Sequence, residues 1–165
     1  MKYQKKLLIV AANNLPYGKN ITKVFQEMYK NEFKVESLDV DVSTNNFLYF
    51  ISRNIKILDL LKRIYSRKLI KSIKIINPDY IVFFLGPCPF TKNDFIEIKK
   101  IKKRLFIYTW LCDVLDYNKN FIEFVKLSNK SGSFSKNDIN LINKKLNIEI
   151  DYLPMFYDPN VFFKG

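Results

Sequence analysis

Short apolar runs of strand length alternate along the chain with segments of helical periodicity, and this alternation most constrains the fold. The first run, LLIVAA, is followed by ITKVFQEMYKNEF, whose apolar residues recur at helical spacing. Repeated along the chain, the pattern predicts six strands. They lie at Leu7–Ala12, Lys34–Val40, Asp79–Gly86, Arg104–Trp110, Ser131–Ser135 and Ile148–Leu153. Strands joined by helical crossovers predict an α/β fold: a doubly wound, Rossmann-like parallel sheet in a three-layer αβα arrangement.

The helices between these strands have recognisable ends. Capping-box patterns at Thr91–Asp94 and Ser135–Asp138 predict helices that run to about Lys102 and Leu146. A long helical region, roughly 47–77, stops at Asn77-Pro78, because a residue that precedes proline disfavours the helical conformation. A shorter helix is expected near 120–127, and the segment 13–20, with Pro16 and Gly18, is predicted to be a polar turn. We expect one domain over 1–165, with strand order 3-2-1-4-5-6.

Composition narrows the function classes. The 165 residues carry a formal charge of +12 and no histidine, which excludes histidine bases and histidine-activated nucleophiles. The charge favours anionic partners, but an AT-rich genome would also fill an ordinary surface with lysine. Two cysteines, Cys88 and Cys112, do not make a disulfide framework, so the cytoplasm is the expected compartment. The apolar run Leu7–Ala12 is too short for a membrane span or a signal peptide.

A binding site is predicted at the carboxyl ends of the strands, near the switch point between strands 1 and 4. The loops there contain Asn13, Asn14, Gly18 and Gly86 as candidate ligand contacts, although asparagine after a strand is often a turn former. The motifs GxGxxG and GxxxxGK[ST] are both absent, so no dinucleotide or P-loop site is expected, and no cofactor or metal is predicted. A response regulator needs an aspartate at the end of the third strand, and FFLGPCP contains none.

The segment IYTWLCDVLDYN after the fourth strand is the strongest candidate substrate site. It holds Trp110 and two carboxylates, Asp113 and Asp116, an arrangement that could stack a sugar ring and bind its hydroxyls. Alternatively, Trp110 belongs to the core and Asp113 caps the next helix. Cys88 and Cys112 are interpreted as structural thiols, and in the expected strand order two strands would separate them.

The long helix predicts a second, charged surface. Residues 51–76 contain eight basic residues and one acid, Asp59. The apolar residues predicted on the buried side of the helix are Ile57, Leu58, Leu61, Ile64, Tyr65, Leu69, Ile73 and Ile76. Arg63, Arg67 and Lys71 are the candidate contacts to an anionic surface, because such a helix is typical of proteins that lie on membranes. Nucleic acid is not favoured, since no recognised motif is present and the aromatic residues lie mostly on strands.

The succession of strands ends with KSGSFSKNDINLINKKLNIEIDYLPMFYDPNVFF. With the Pro-Asp that opens the third strand, it resembles the N-terminal domain of two-Rossmann-domain (GT-B) glycosyltransferases, most closely the CgeB-like spore-maturation group. The resemblance spans most of the chain, and its specific part is 130–163. In that family the Leu-Pro segment, here Leu153-Pro154, leads into a second Rossmann domain that binds the sugar nucleotide.

The resemblance implies a half-enzyme. This domain would bind a glycan, protein or lipid-linked acceptor and would need a C-terminal donor domain in cis to transfer a sugar from a nucleotide donor. Asp113 is then the candidate base of an inverting mechanism. Two alternatives are a non-catalytic Rossmann-like binding module and a basic adaptor peripheral to an anionic membrane.

Overall fold

Six parallel strands form one sheet in the part of the chain that the computed structural model describes, which is residues 4–11, 16–40, 55–85, 89–111 and 121–153. Of residues 16–19, 55–59 and 61 only the backbone is described. The strands are β1 Lys5–Ala11, β2 Phe33–Asp39, β3 Tyr80–Leu85, β4 Phe106–Leu111, β5 Lys130–Ser133 and β6 Asp151–Tyr152. The helices are α1 Pro16–Met28, α2 Ile55–Ile76, α3 Lys92–Ile101, α4 Phe121–Leu127 and α5 Lys136–Leu146.

The strand order across the sheet is β2-β1-β3-β4-β5-β6. The predicted α/β class, the parallel pairing and the doubly wound three-layer arrangement are confirmed, but the predicted order 3-2-1-4-5-6 is wrong. β1 pairs with β3, not with β4, and Leu7 lies opposite Tyr80 in that pairing. The switch point therefore lies between β1 and β3, where the chain turns from one side of β1 to the other.

Local chemistry explains the helix boundaries. The backbone N–H of Thr91 donates to Asp94 Oδ2 at 2.7 Å just before α3, as its capping box predicts. Ser135 Oγ accepts the N–H of Asp138 at 3.2 Å at the start of α5. The predicted turn at 13–20 is wrong in its second half, because α1 begins at Pro16, where proline's fixed φ and missing N–H suit a first helical residue.

The helices are distributed unevenly over the two faces of the sheet. Among the described helices, α2, α3, α4 and α5 contribute buried side chains to one core cluster, while α1 contributes Ile21 to a second cluster on the opposite face. In the larger cluster, Phe95 of α3 stacks on Phe124 of α4 with ring centroids 4.6 Å apart. Phe95 also packs against Phe83 of β3 at 4.7 Å, so these three rings join two helices to the sheet.

The carboxyl end of α2 is fastened to the sheet through Asp79. Asn77 takes the left-handed conformation (φ 50°) that ends the helix before Pro78, as the sequence predicts. Asp79 Oδ2 accepts the N–H of Lys6 at 2.9 Å, and Asp79 Oδ1 lies 3.2 Å from Lys102 Nζ. The two lysine side chains also donate to the last helix carbonyls, Lys6 to Ile76 at 3.0 Å and Lys102 to Asn77 at 3.2 Å. These contacts fix the carboxyl end of α2 against the sheet.

Candidate binding surfaces

Trp110 lies near the carboxyl end of β4, where the sequence predicts a binding site. Its side chain is 2% exposed, and its ring meets that of Phe84 edge-on with centroids 5.2 Å apart. The structure therefore places Trp110 in the core of the second face, which was the alternative interpretation from sequence. A ring buried in this way offers no open surface on which a sugar could stack.

The other residues of the predicted edge site lie mostly outside the described residues. These are Asn13, Asn14, Gly86, Asp113 and Asp116. The backbone of Gly18 lies in the first turn of α1. Their ligand-binding roles, and that of Asp113 as a base, stay predictions. Cys88 and Cys112 also lie outside, but the strands they follow, β3 and β4, are direct neighbours, so the argument that two strands separate the cysteines was wrong.

A tyrosine and a carboxylate meet over a glycine on the second face of the sheet. Tyr108 Oη donates to Asp151 Oδ2 at 3.4 Å, across β5. Gly132 of β5 lies between them, and a Cβ added there would come 2.3 Å from Tyr108 Oη and 3.3 Å from the Asp151 carbonyl oxygen. Gly132 is needed here because its missing side chain leaves the space that the tyrosine hydroxyl occupies.

Burial, followed by the charge of Asp151 and their hydrogen bond, raises the pKa of Tyr108 above its ordinary value of about 10. A raised pKa means that the folded state keeps this proton while the unfolded state loses it. The contribution of Tyr108 to stability is therefore fully present below pH about 10 and falls as the pH rises further. We expect Tyr108→Phe to reduce the loss of stability that urea denaturation detects as the pH rises above about 10. An unchanged alkaline profile in this variant would contradict the assignment, and Tyr152→Phe, with a half-exposed ring, is the control.

Five aromatic rings form a row on the same face, at the amino ends of β2, β3 and β4. Adjacent centroids are 5.4–6.3 Å apart along Phe25, Tyr29, Phe33, Tyr80 and Phe106. The row lines a cavity of about 210 Å³, which is smaller than the 300–1,000 Å³ usual for small-molecule sites. Lys5 Nζ donates to the hydroxyl of Tyr80 at 3.2 Å. The row packs α1 against the sheet.

Helix α2 presents a second kind of surface. Tyr65, Leu69 and Ile73 are buried as predicted, but Ile64, which was predicted on the same face, is 39% exposed. Leu60 and Ile75 are 56% and 70% exposed. Together with two of the predicted anionic-surface residues they form the stripe that we call the α2 stripe, which consists of Leu60, Ile64, Arg67, Lys71 and Ile75. At 3.6 residues per turn these five positions fall within an arc of roughly 80°, opposite the buried face.

A groove lies beside the carboxyl-terminal half of the α2 stripe and reaches helix α3. Its volume is about 470 Å³, and its walls are Ser66, Arg67, Ile70, Lys71, Lys74, Ile75 and Glu97. The structure thus brings Arg67 and Lys71 together at one groove, while Arg63 is exposed on the same helix outside its lining. Neither Arg67 nor Lys71 has a carboxylate partner within the described ranges. The groove is therefore a basic surface with apolar side chains along it.

The sequence contained the signal for this surface, although our prediction did not use it. Leu60 and Ile75 fall on the basic side of a helical wheel centred on Leu69, among Arg67 and Lys71. Apolar residues on a charged face are common singly, but here they recur with helical spacing.

The described residues contain no group of three or more cysteine, aspartate or glutamate side chains arranged to hold a metal ion. In the same residues there is also no helix with the length and apolar character that crossing a bilayer requires.

Comparison with known proteins finds no matching family model and no matching curated protein. Solved structures that are similar include the following two. The N-terminal domain of the nisin resistance regulator NsrR, a lantibiotic response regulator, aligns with a TM-score of 0.47 at 14% identity, over 88% of this chain and 97% of that one. A CheY-like protein (tadZ) from Pseudomonas aeruginosa PAO1 aligns with a TM-score of 0.42 at 7% identity, over 92% and 100%.

These findings correct the predicted family. The resemblance to GT-B and CgeB-like glycosyltransferases is wrong: the similar structures are response-regulator and CheY-like proteins, and the strand order is not the expected one. The predicted acceptor substrates, membrane surface and donor domain in cis are withdrawn with it. At 14% and 7% identity, the similar structures do not assign their activity to this chain. A response regulator carries an aspartate at the end of the third strand, and this chain has no carboxylate between Asp79 and Asp94.

Proposed function

We propose that this chain is a non-catalytic module that binds another protein through the α2 stripe. The observation that carries the proposal is the exposure of Leu60, Ile64 and Ile75 on one side of a single helix. Burying a fully exposed side chain of this type is worth roughly 1.5–3 kcal/mol. These three are 39–70% exposed, so covering each of them contributes part of that value, and the three together favour association. On the opposite side of α2, Tyr65, Leu69 and Ile73 are buried in the core, so the stripe is a fixed surface.

The electrostatics of the stripe support a protein partner. Arg67 and Lys71 lie between Ile64 and Ile75 along the helix, and charged residues within an apolar surface give an interface its specificity. The small number of cysteines supports a cytoplasmic location for the module.

The proposal is tested by photo-cross-linking from position 68, beside the stripe, followed by identification of the cross-linked protein and direct binding of the purified pair. We expect the triple variant Leu60→Gln, Ile64→Gln and Ile75→Gln to weaken binding by about a hundredfold, because the polar glutamines remove the apolar surface that the partner would cover. Glutamine keeps high helix propensity, so the fold should be unaffected.

The matched control changes exposed apolar residues on another helix. Val24 and Met28 of α1 are 46% and 68% exposed, and Val24→Gln with Met28→Gln should leave binding unchanged. Equal loss of binding in the two variants, or no loss in the triple variant, would refute the proposal.

A further inference from the structure

The spacing of the α2 stripe matches the surface on which a second helix packs. Its members are separated by four, three, four and four residues, which is close to the alternation of four and three in paired helices. Such a stripe stays on one side of a helix for its whole length, about 1.5 Å per residue from Leu60 to Ile75. The surface is therefore long enough for about four turns of a partner helix.

Charge divides the stripe into parts. Leu60 and Ile64 form an apolar end, Arg67 and Lys71 form a basic centre, and Ile75 lies beyond them. Lys74 joins the basic centre at the groove, where Glu97 is the one acidic residue among the lining residues that the structure describes. Because these cations have no carboxylate partner among the described residues, an occupant that supplied carboxylates would gain attraction without breaking existing ion pairs.

The order of these parts along the stripe favours a protein helix over two other anionic partners, a membrane surface and a nucleic acid. A membrane-surface helix needs a continuous apolar face, but insertion of Leu60 and Ile75 together would draw Arg67 and Lys71 towards the acyl chains. A nucleic acid would meet the basic centre but would leave the exposed Ile64 and Ile75 without apolar contacts. A protein helix can present apolar and acidic side chains at the positions that each part requires.

Resting on the proposed function, we infer that the partner segment is an acidic amphipathic helix that packs along the α2 stripe. Its apolar side chains cover Leu60 and Ile64 at one end of the stripe and Ile75 at the other, and carboxylates three or four residues apart face Arg67 and Lys71. Ile70, which lines the groove beside them, receives a further apolar side chain. This is the helix-in-groove mode of recognition with charge complementarity added.

Three designed peptides of equal length test the inference by fluorescence anisotropy with the full chain. The first has leucines on one helical face flanked by glutamates, the second replaces the glutamates by lysines, and the third scrambles the first so that no apolar face remains. We expect the first to bind, the second and third to bind at least about tenfold more weakly, and affinity for the first to fall as salt is raised.

A charge swap on the chain makes the test specific. Arg67→Glu with Lys71→Glu should weaken binding of the acidic peptide by about tenfold or more and strengthen binding of the lysine peptide. The matched control is Lys103→Glu with Arg104→Glu, which makes the same charge change at two exposed residues in the turn after α3 and should leave both affinities nearly unchanged.

Three outcomes would overturn the inference. The first is that the scrambled peptide binds as tightly as the acidic peptide, and the second is that the two charge-reversal pairs have equal effects. The third is that the chain binds phosphatidylserine vesicles or duplex DNA but not the acidic peptide, and that Arg67→Glu with Lys71→Glu abolishes this binding. If no peptide binds while the cross-linked protein still depends on Leu60, Ile64 and Ile75, the proposed function stands and the partner chemistry is wrong. If the triple glutamine variant changes nothing, the proposed function itself is wrong.

Discussion

Replacing Phe95 by alanine is expected to lower the free energy of unfolding by about 3–5 kcal/mol. The ring is fully buried and lies between Phe83 at 4.7 Å and Phe124 at 4.6 Å. Its loss removes contacts to a strand and to a neighbouring helix at once and leaves a cavity that neither rigid element can easily close. Urea denaturation followed by far-UV circular dichroism measures the change.

Two further variants keep this prediction testable if the alanine variant does not fold. Phe95→Leu fills part of the space and should cost clearly less than the alanine change. Phe106→Ala removes another phenylalanine ring, from the half-buried aromatic row, and should also lower the free energy of unfolding by less, because part of that ring already faces water. A loss at Phe106 equal to that at Phe95 would show that the stacked rings are not the centre of the core.

Replacing Gly132 by alanine is expected to lower the free energy of unfolding by about 1–3 kcal/mol, through overpacking. The new methyl group would lie 2.3 Å from Tyr108 Oη, 3.2 Å from Leu153 Cδ1 and 3.3 Å from a backbone oxygen. The tyrosine ring must therefore move, and its hydrogen bond to Asp151 is lost with it.

A double-mutant cycle identifies the cause. In the Tyr108→Phe background the closest atom is gone, so Gly132→Ala should cost less, with a coupling of about 0.5–3 kcal/mol. Additive costs would contradict the clash as the cause. Ser131→Ala, at the preceding residue, is the control: its buried hydroxyl has no hydrogen-bond partner in the described structure, so the change should be nearly neutral.

Local signals in the sequence predicted the elements well. Thr91 and Ser135 mark the starts of α3 and α5, and the apolar runs mark the strands, because capping and burial are decided by residues close together in the chain. Strand order depends on which edge each crossover takes. β3 and β4 are both buried apolar runs, and nothing in Leu7–Ala11 selects one of them as the neighbour of β1.

The surfaces were predictable in part. Arg67 and Lys71 were identified from charge, and both are exposed as predicted. Ile64 was assigned to the core from its apolar character, although its angle on the helical wheel places it nearer to Lys71 than to Leu69. Trp110 could not be assigned from sequence, since tryptophan at a strand end serves equally well in a core and in a binding site, and only its packing against Phe84 decides.

The attachment of α2 to the sheet has a consequence for recognition. Through Asp79 the end of the helix is linked to two strands, because Asp79 accepts from the backbone of Lys6 and its carbonyl oxygen accepts the N–H of Phe106 at 3.1 Å. A displacement of this end of the helix would stretch hydrogen bonds at the starts of β1 and β4. The docking surface is therefore preorganised at this end, and association there sacrifices little backbone entropy, which favours a long residence time even for a modest contact area.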